Sequence, residues 1–157
     1  MFYKMLLVVL GLCVAIEIKC PERAQWSMRA RLYCSNPSQH SCLLSIDGST
    51  RINVENCSKL DLEAPGKRIV IRYNIDSFYC SDDKYQPITY WTNVSTDCLY
   101  LTSTCTEEGQ VLYSVDRYHE HDTSCRCDHT RGYDFVTKPR NPCFCIPSEE
   151  DCSCYKK

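Results

Sequence analysis

Cysteine constrains this chain more than any other residue. Fourteen of its 157 positions carry one, a density at which short chains are built as disulfide scaffolds rather than around a large apolar core. Whether those cysteines pair depends on the compartment, and the first residues bear on that. After Met1, Phe2, Tyr3, Lys4 and Met5, residues 6–16 are apolar and broken only by Gly11. One early lysine, an apolar run of about ten residues and a small residue at its end make a secretory signal peptide. Ala15 is its natural last residue, with Cys13 at the other small position. The run is shorter than the roughly 20 apolar residues that a membrane span needs, and Glu17, Lys19 and Glu22 follow at once. Residues 1–15 are therefore expected to be a signal peptide, and the mature chain to be secreted and extracellular, with no membrane span.

Cleavage after Ala15 removes Cys13 and leaves thirteen cysteines: Cys20, Cys34, Cys42, Cys57, Cys80, Cys98, Cys105, Cys125, Cys127, Cys143, Cys145, Cys152 and Cys154. In an oxidising compartment they pair, and thirteen cannot pair internally. Six disulfides leave one thiol, free or bonded to another chain. The expected partner is thus an extracellular protein, or a second copy of the chain held by an intermolecular disulfide. Spacing does not reveal which cysteine is left over.

Between residues 16 and 115 the cysteines are widely spaced and separated by segments with strand character. Residues 67–73 (KRIVIRY) are rich in β-branched side chains and bounded by Pro65-Gly66 and Asn74, which predicts a strand. Residues 27–33 alternate loosely, with Met28, Ala30 and Leu32 on one side and Arg29 and Arg31 on the other, and read as a further strand. Residues 86–92, 97–102 and 109–115 are shorter candidates. No stretch sustains helical periodicity, and residues 60–62 have room for one turn. From residue 116 the composition changes, and cysteines come as the doublets Cys125-Arg-Cys127, Cys143-Phe-Cys145 and Cys152-Ser-Cys154. Residues i and i+2 of a strand share a face, so each doublet can bridge two partners on one side. The expected fold is small, disulfide-rich and mainly β: an antiparallel β domain over 16–115, followed by a cystine-dense segment over 116–157.

The chemistry that the residues offer is sparse. A formal charge of −2 supplies no electrostatic footprint for nucleic acid. Structural zinc favours paired cysteines two to four residues apart, and here one residue separates each pair. His119, Glu120, His121 and Asp122 are candidates for a surface cation site, or a solvated polar loop. No Gly-x-Ser-x-Gly elbow prepares a nucleophile. Neither a metal, a cofactor nor a catalytic residue is expected. The sequons Asn56-Cys57-Ser58 and Asn93-Val94-Ser95 mark Asn56 and Asn93 as glycosylation candidates on surface loops.

Several segments resemble known families. Tyr90-Trp91 followed by Asp97-Cys98 is faintly similar to invertebrate-type lysozymes, without their cysteine-flanked glutamate segment; a small secreted hydrolase is the remote alternative that this implies. Cys125-x-Cys127, Gly132-Tyr133 and Cys143 resemble the second half of an EGF module, and equally a tumour necrosis factor receptor-like repeat. The most extensive likeness is carried by CPERAQWSMRA at 20–30, YQP at 85–87, TNVSTDC at 92–98, EEGQV at 107–111, CRCDHTRGY at 125–133 and PCFCIPSEEDCSCY at 142–155. Together these resemble a cysteine-rich extracellular domain of bivalve mollusc secreted and receptor-like proteins. That resemblance implies an extracellular position. The expected function is a non-enzymatic structural or interaction component of an extracellular matrix, shell matrix included, and the alternative is a soluble, receptor-like, ligand-binding ectodomain.

Overall fold

The computed structural model describes residues 19–58 and 60–157; the expected signal peptide over 1–15, Cys13 included, lies outside them. The first sheet grows from two hairpins. Strands β1 (Ser41–Asp47) and β2 (Thr50–Asn56) pair antiparallel, and Asp47 faces Thr50 across a two-residue loop. Gly48 opens that loop at φ 56, the positive dihedral that a tight hairpin asks of its first turn residue. After the short β3 (Leu62–Glu63), strands β4 (Lys67–Arg72) and β5 (Asn74–Tyr79) form the second hairpin around Tyr73. Tyr73 sits at φ 61 and is 93% exposed. The sheet order is β2-β1-β4-β5, and β1 runs parallel to β4. The sheet is therefore mixed rather than purely antiparallel. Its two central strands bury Cys42, Leu43, Ile69 and Val70.

Residues 27–33, read as a strand, are instead part of the helix α1 (Trp26–Tyr33). The segment holds Met, Arg, Ala and Leu and no β-branched residue, so helical propensity outweighs its loose alternation. Only Ala30 of the helix is buried; Met28 stays 60% and Leu32 76% exposed. What seats the helix is covalent and polar. Cys20–Cys42 and Cys34–Cys57 tie down the chain on either side of it. Arg29 reaches across to Glu55 of β2, with nitrogen–oxygen distances of 2.8 and 2.9 Å. The buried His40 adds its Nε2 at 3.1 Å from the same carboxylate, with the Trp26 and Tyr33 rings edge-on to its imidazole.

The Arg29 hydrogen bond holds the Glu55 carboxyl below the usual carboxylate range, against the upward push of burial, and His40 assists. A depressed carboxyl stabilises the fold above its unfolded pKa of about 4.3, and that stabilisation is lost as pH falls through the lower folded value. Glu55→Gln is expected to cost about 1–3 kcal/mol at neutral pH. The difference between the two proteins in thermal midpoint should shrink as pH falls below about 4.3, which a series of melting curves checks.

Beyond β5 the strands shorten. Strand β6 (Lys84–Tyr85) pairs with β8 (Tyr100–Leu101), and β7 (Tyr90–Trp91) pairs back to β3. The segments expected over 86–92 and 97–102 thus contribute two-residue strands, and residues 60–62, which had room for one turn, carry none, Leu62 opening β3. Strand β9 (Gln110–Ser114) lies where 109–115 was read. It pairs with β10 (Ser124–Cys127), and the end of the chain is closed by β11 (Tyr133–Phe135) against β12 (Cys154–Lys156). The change of composition at residue 116 falls within the connection between β9 and β10.

Six disulfides join described residues: Cys20–Cys42, Cys34–Cys57, Cys80–Cys98, Cys105–Cys125, Cys127–Cys154 and Cys145–Cys152. None of them crosses between residues up to 98 and residues from 105 onward. The doublet geometry holds on β10, where Cys125 and Cys127 are both buried on one side of exposed Arg126 and take different partners. In the second block the core is itself sulfur: Cys125, Cys145 and Cys152 cluster, with Cys105 and Phe135 against them. The fold is a small, disulfide-rich β structure with a cystine-dense C-terminal part.

With no disulfide between them, the two blocks meet through noncovalent contacts, main-chain hydrogen bonds among them. Gln86, fully buried, takes the Gly66 N–H on its carbonyl and gives its own N–H to the His119 carbonyl, both at 2.8 Å. Its side chain donates to the Ile88 carbonyl at 3.0 Å and accepts the Leu99 N–H at 3.1 Å. The buried amide thereby uses one N–H and its oxygen, and both main-chain groups of Gln86 are paired as well.

Candidate functional site

Cys143 is the cysteine left without a partner among the described residues, and it is exposed. Local geometry puts it there. Phe144 N–H bonds the Asn141 carbonyl at 3.4 Å, closing a β-turn with Pro142 and Cys143 at its centre. Asn141 Oδ1 accepts the Cys143 N–H at 2.9 Å. Asparagine first and proline second suit such a turn. The turn projects the thiol outward while Cys145, two residues on, is drawn inward to Cys152 and to the main chain of Cys125.

Phe144 leads into the second feature, a cleft of about 490 Å³ between the 144–146 segment and the connection from β9 to β10. Val115, Phe144 and Ile146 supply apolar side chains to its lining, and Tyr118, Arg117 and His121 supply polar ones. Tyr113 stacks on Phe144 with centroids 5.0 Å apart, which fixes that ring. The 116–121 loop is held from within by Asp116. Its carboxylate accepts the N–H of Tyr118 at 3.0 Å and those of Glu120 and His121 at 2.9 Å. Burial pushes the Asp116 carboxyl up, yet these three donors hold it below its ordinary value. Asp122 is likewise kept low against burial, by the Ser103 hydroxyl and N–H, each at 2.6 Å. From the first block, Tyr79 places its ring against those of Tyr118 and His119.

The sequence-derived candidates are dispersed. His119 turns back to the Lys84 carbonyl at 3.3 Å, Asp122 serves Ser103, and His121 faces the cleft. Among the described residues no three side chains of His, Cys, Asp and Glu converge on one point. Asp97 is engaged by Lys84 at 2.7 Å and Arg68 at 3.2 Å. Of the sequon asparagines, Asn56 is exposed at the end of β2, whereas Asn93 is half-buried and donates its Nδ2 to the Ser38 carbonyl at 3.2 Å.

The chain matches no family model, no curated protein and no solved structure. What the site can do is therefore set by its own residues: one exposed thiol, and beside it in sequence a rigid aromatic wall of a cleft. Sequence reasoning isolated the leftover thiol without assigning it. It missed Arg117, Phe144 and Ile146, because the cleft exists only once Cys125 and Cys145 lie side by side. Among the described residues no helix is long and apolar enough to cross a membrane.

Proposed function

We propose that this is a secreted, non-enzymatic component of an extracellular matrix that joins other chains through Cys143. The single observation that carries the reading is the exposed thiol at a turn apex, left over after six internal disulfides. Oxidising conditions that form six bridges also oxidise an accessible seventh site, and its partner must then come from another molecule. The six disulfides and the absence of a membrane-spanning helix among the described residues are consistent with secretion. In a bivalve setting, shell matrix is one material that fits.

Electrophoresis of protein purified without reductant tests this. A dimer or larger species is expected that collapses to monomer on reduction and is absent from Cys143→Ser. A wholly monomeric wild-type band would count against it. A second reading, a soluble ligand-binding ectodomain, is favoured by the cleft beside Phe144.

A further inference from the structure

We infer that the cleft between the 144–146 segment and the 115–122 connection binds a small amphiphilic acid, a flat apolar body carrying a carboxylate. The inference deepens the ligand-binding reading and rests on it, and it does not require Cys143. Its size falls in the range of small-molecule sites, roughly 300–1,000 Å³, which typically combine apolar walls with a few placed polar groups. The walls are Val115, Phe144 and Ile146, with Phe144 already stacked on Tyr113 and so presenting a fixed face.

The polar groups divide unequally between acceptors and donors. Both carboxylates at the cleft are occupied by the protein's own hydrogen-bond donors, Asp116 by three main-chain N–H groups and Asp122 by Ser103 and the Thr123 N–H. Neither has to look to a ligand for a donor, but neutral donors leave both charges in place, so an acid group here depends on the Arg117 cation. Among the described residues no hydrogen bond or ion pair engages the Arg117 side chain, and the His121 ring has no hydrogen bond and only the nearby charge of Asp116. The cleft thus offers unspent donors beside apolar surface, and a ligand complementary to it brings acceptors. A carboxylate matches the planar fork of a guanidinium best, since it accepts two parallel N–H bonds. Asp116 sits near His121, so Arg117 is the residue assigned to the acid group.

The loop that carries Arg117 is also held in place before any ligand arrives. Asp116 ties it internally, the Gln86 N–H bonds the His119 carbonyl, and the Tyr79 ring backs Tyr118. Preorganisation of this kind lowers the ordering cost of binding.

The test uses isothermal titration of the full chain carrying Cys143→Ser, so that crosslinking and binding succeed or fail separately. The probes are naphthoate, its neutral counterpart naphthalenemethanol, and the cationic naphthylmethylammonium. Saturable binding of naphthoate at one per chain is expected, at least about tenfold tighter than either comparator, which corresponds to about 1.4 kcal/mol. Arg117→Gln, on an exposed loop position, should keep the thermal midpoint and erase that preference. Phe144→Ala should weaken acid and alcohol alike. Absence of saturable naphthoate binding, equal affinity for acid and alcohol, tighter binding of the cation, or a preference that survives in Arg117→Gln would each overturn the inference.

Discussion

Full reduction of the disulfides unfolds this protein at room temperature. The second block shows why. Its buried cluster is Cys125, Cys145 and Cys152, with Cys105 and Phe135 against it, so breaking the bridges removes crosslinks and core at once. Each native disulfide contributes about 2–4 kcal/mol, against a net stability of roughly 5–15 kcal/mol for an ordinary domain. The contributions are not additive where loops overlap, as they do between Cys20–Cys42 and Cys34–Cys57. Even so, a fraction of their sum exceeds what the few buried aliphatic residues can hold. Near-ultraviolet circular dichroism with and without reductant reads the outcome. Loss of the tertiary signal and of a cooperative melting transition is expected; a reduced chain that still melts cooperatively would contradict the sulfur-built core.

Gly66→Ala should be the most damaging small substitution at the junction of the two blocks, and Gly48→Ala is its control. Both glycines have positive φ, 70 and 56 respectively. A left-handed backbone costs a side chain about 1–2 kcal/mol in either place. The surroundings differ. A Cβ at Gly48 would meet nothing within 4 Å, while one at Gly66 would lie 1.9 Å from the Tyr118 carbonyl oxygen. Main chain cannot rotate aside as a side chain does, so the 116–121 loop must shift. Overpacking adds about 1–3 kcal/mol, and the hydrogen bonds through Gln86 are at risk with it. Denaturant titration should place Gly66→Ala about 2–5 kcal/mol below the parent and Gly48→Ala about 1–2 kcal/mol below it. Similar losses at both positions would mean that the close approach to Tyr118 carries no weight.

Much of the fold was legible wherever a segment's own composition decides its state. Residues 67–72 form a strand because β-branched side chains are bounded by turn residues, and the 125/127 doublet takes two partners because a strand repeats every second residue. Legibility failed where distant contacts decide. The helix at 26–33 lacks an apolar stripe, since disulfides at Cys20 and Cys34 and the Arg29–Glu55 pair seat it in place of burial. The parallel pairing of β1 with β4 joins segments that carry no local sign of each other. Counting showed that one thiol is left over, but Cys143 is identified by its β-turn, which turns it outward while Cys145 enters the core. The cleft was invisible for the same reason, its two walls being brought together by the contact of Cys125 with Cys145.

The measurement that bears most directly on the central claim is a disulfide map of the protein purified without reductant, digested without reduction and read by mass spectrometry. The expected map contains six internal pairs, three among Cys20 to Cys98 and three among Cys105 to Cys154, with the Cys143 peptide linked to a peptide of another chain. A map in which Cys143 is bonded within its own chain, or in which a bridge joins the two blocks, would contradict the claim.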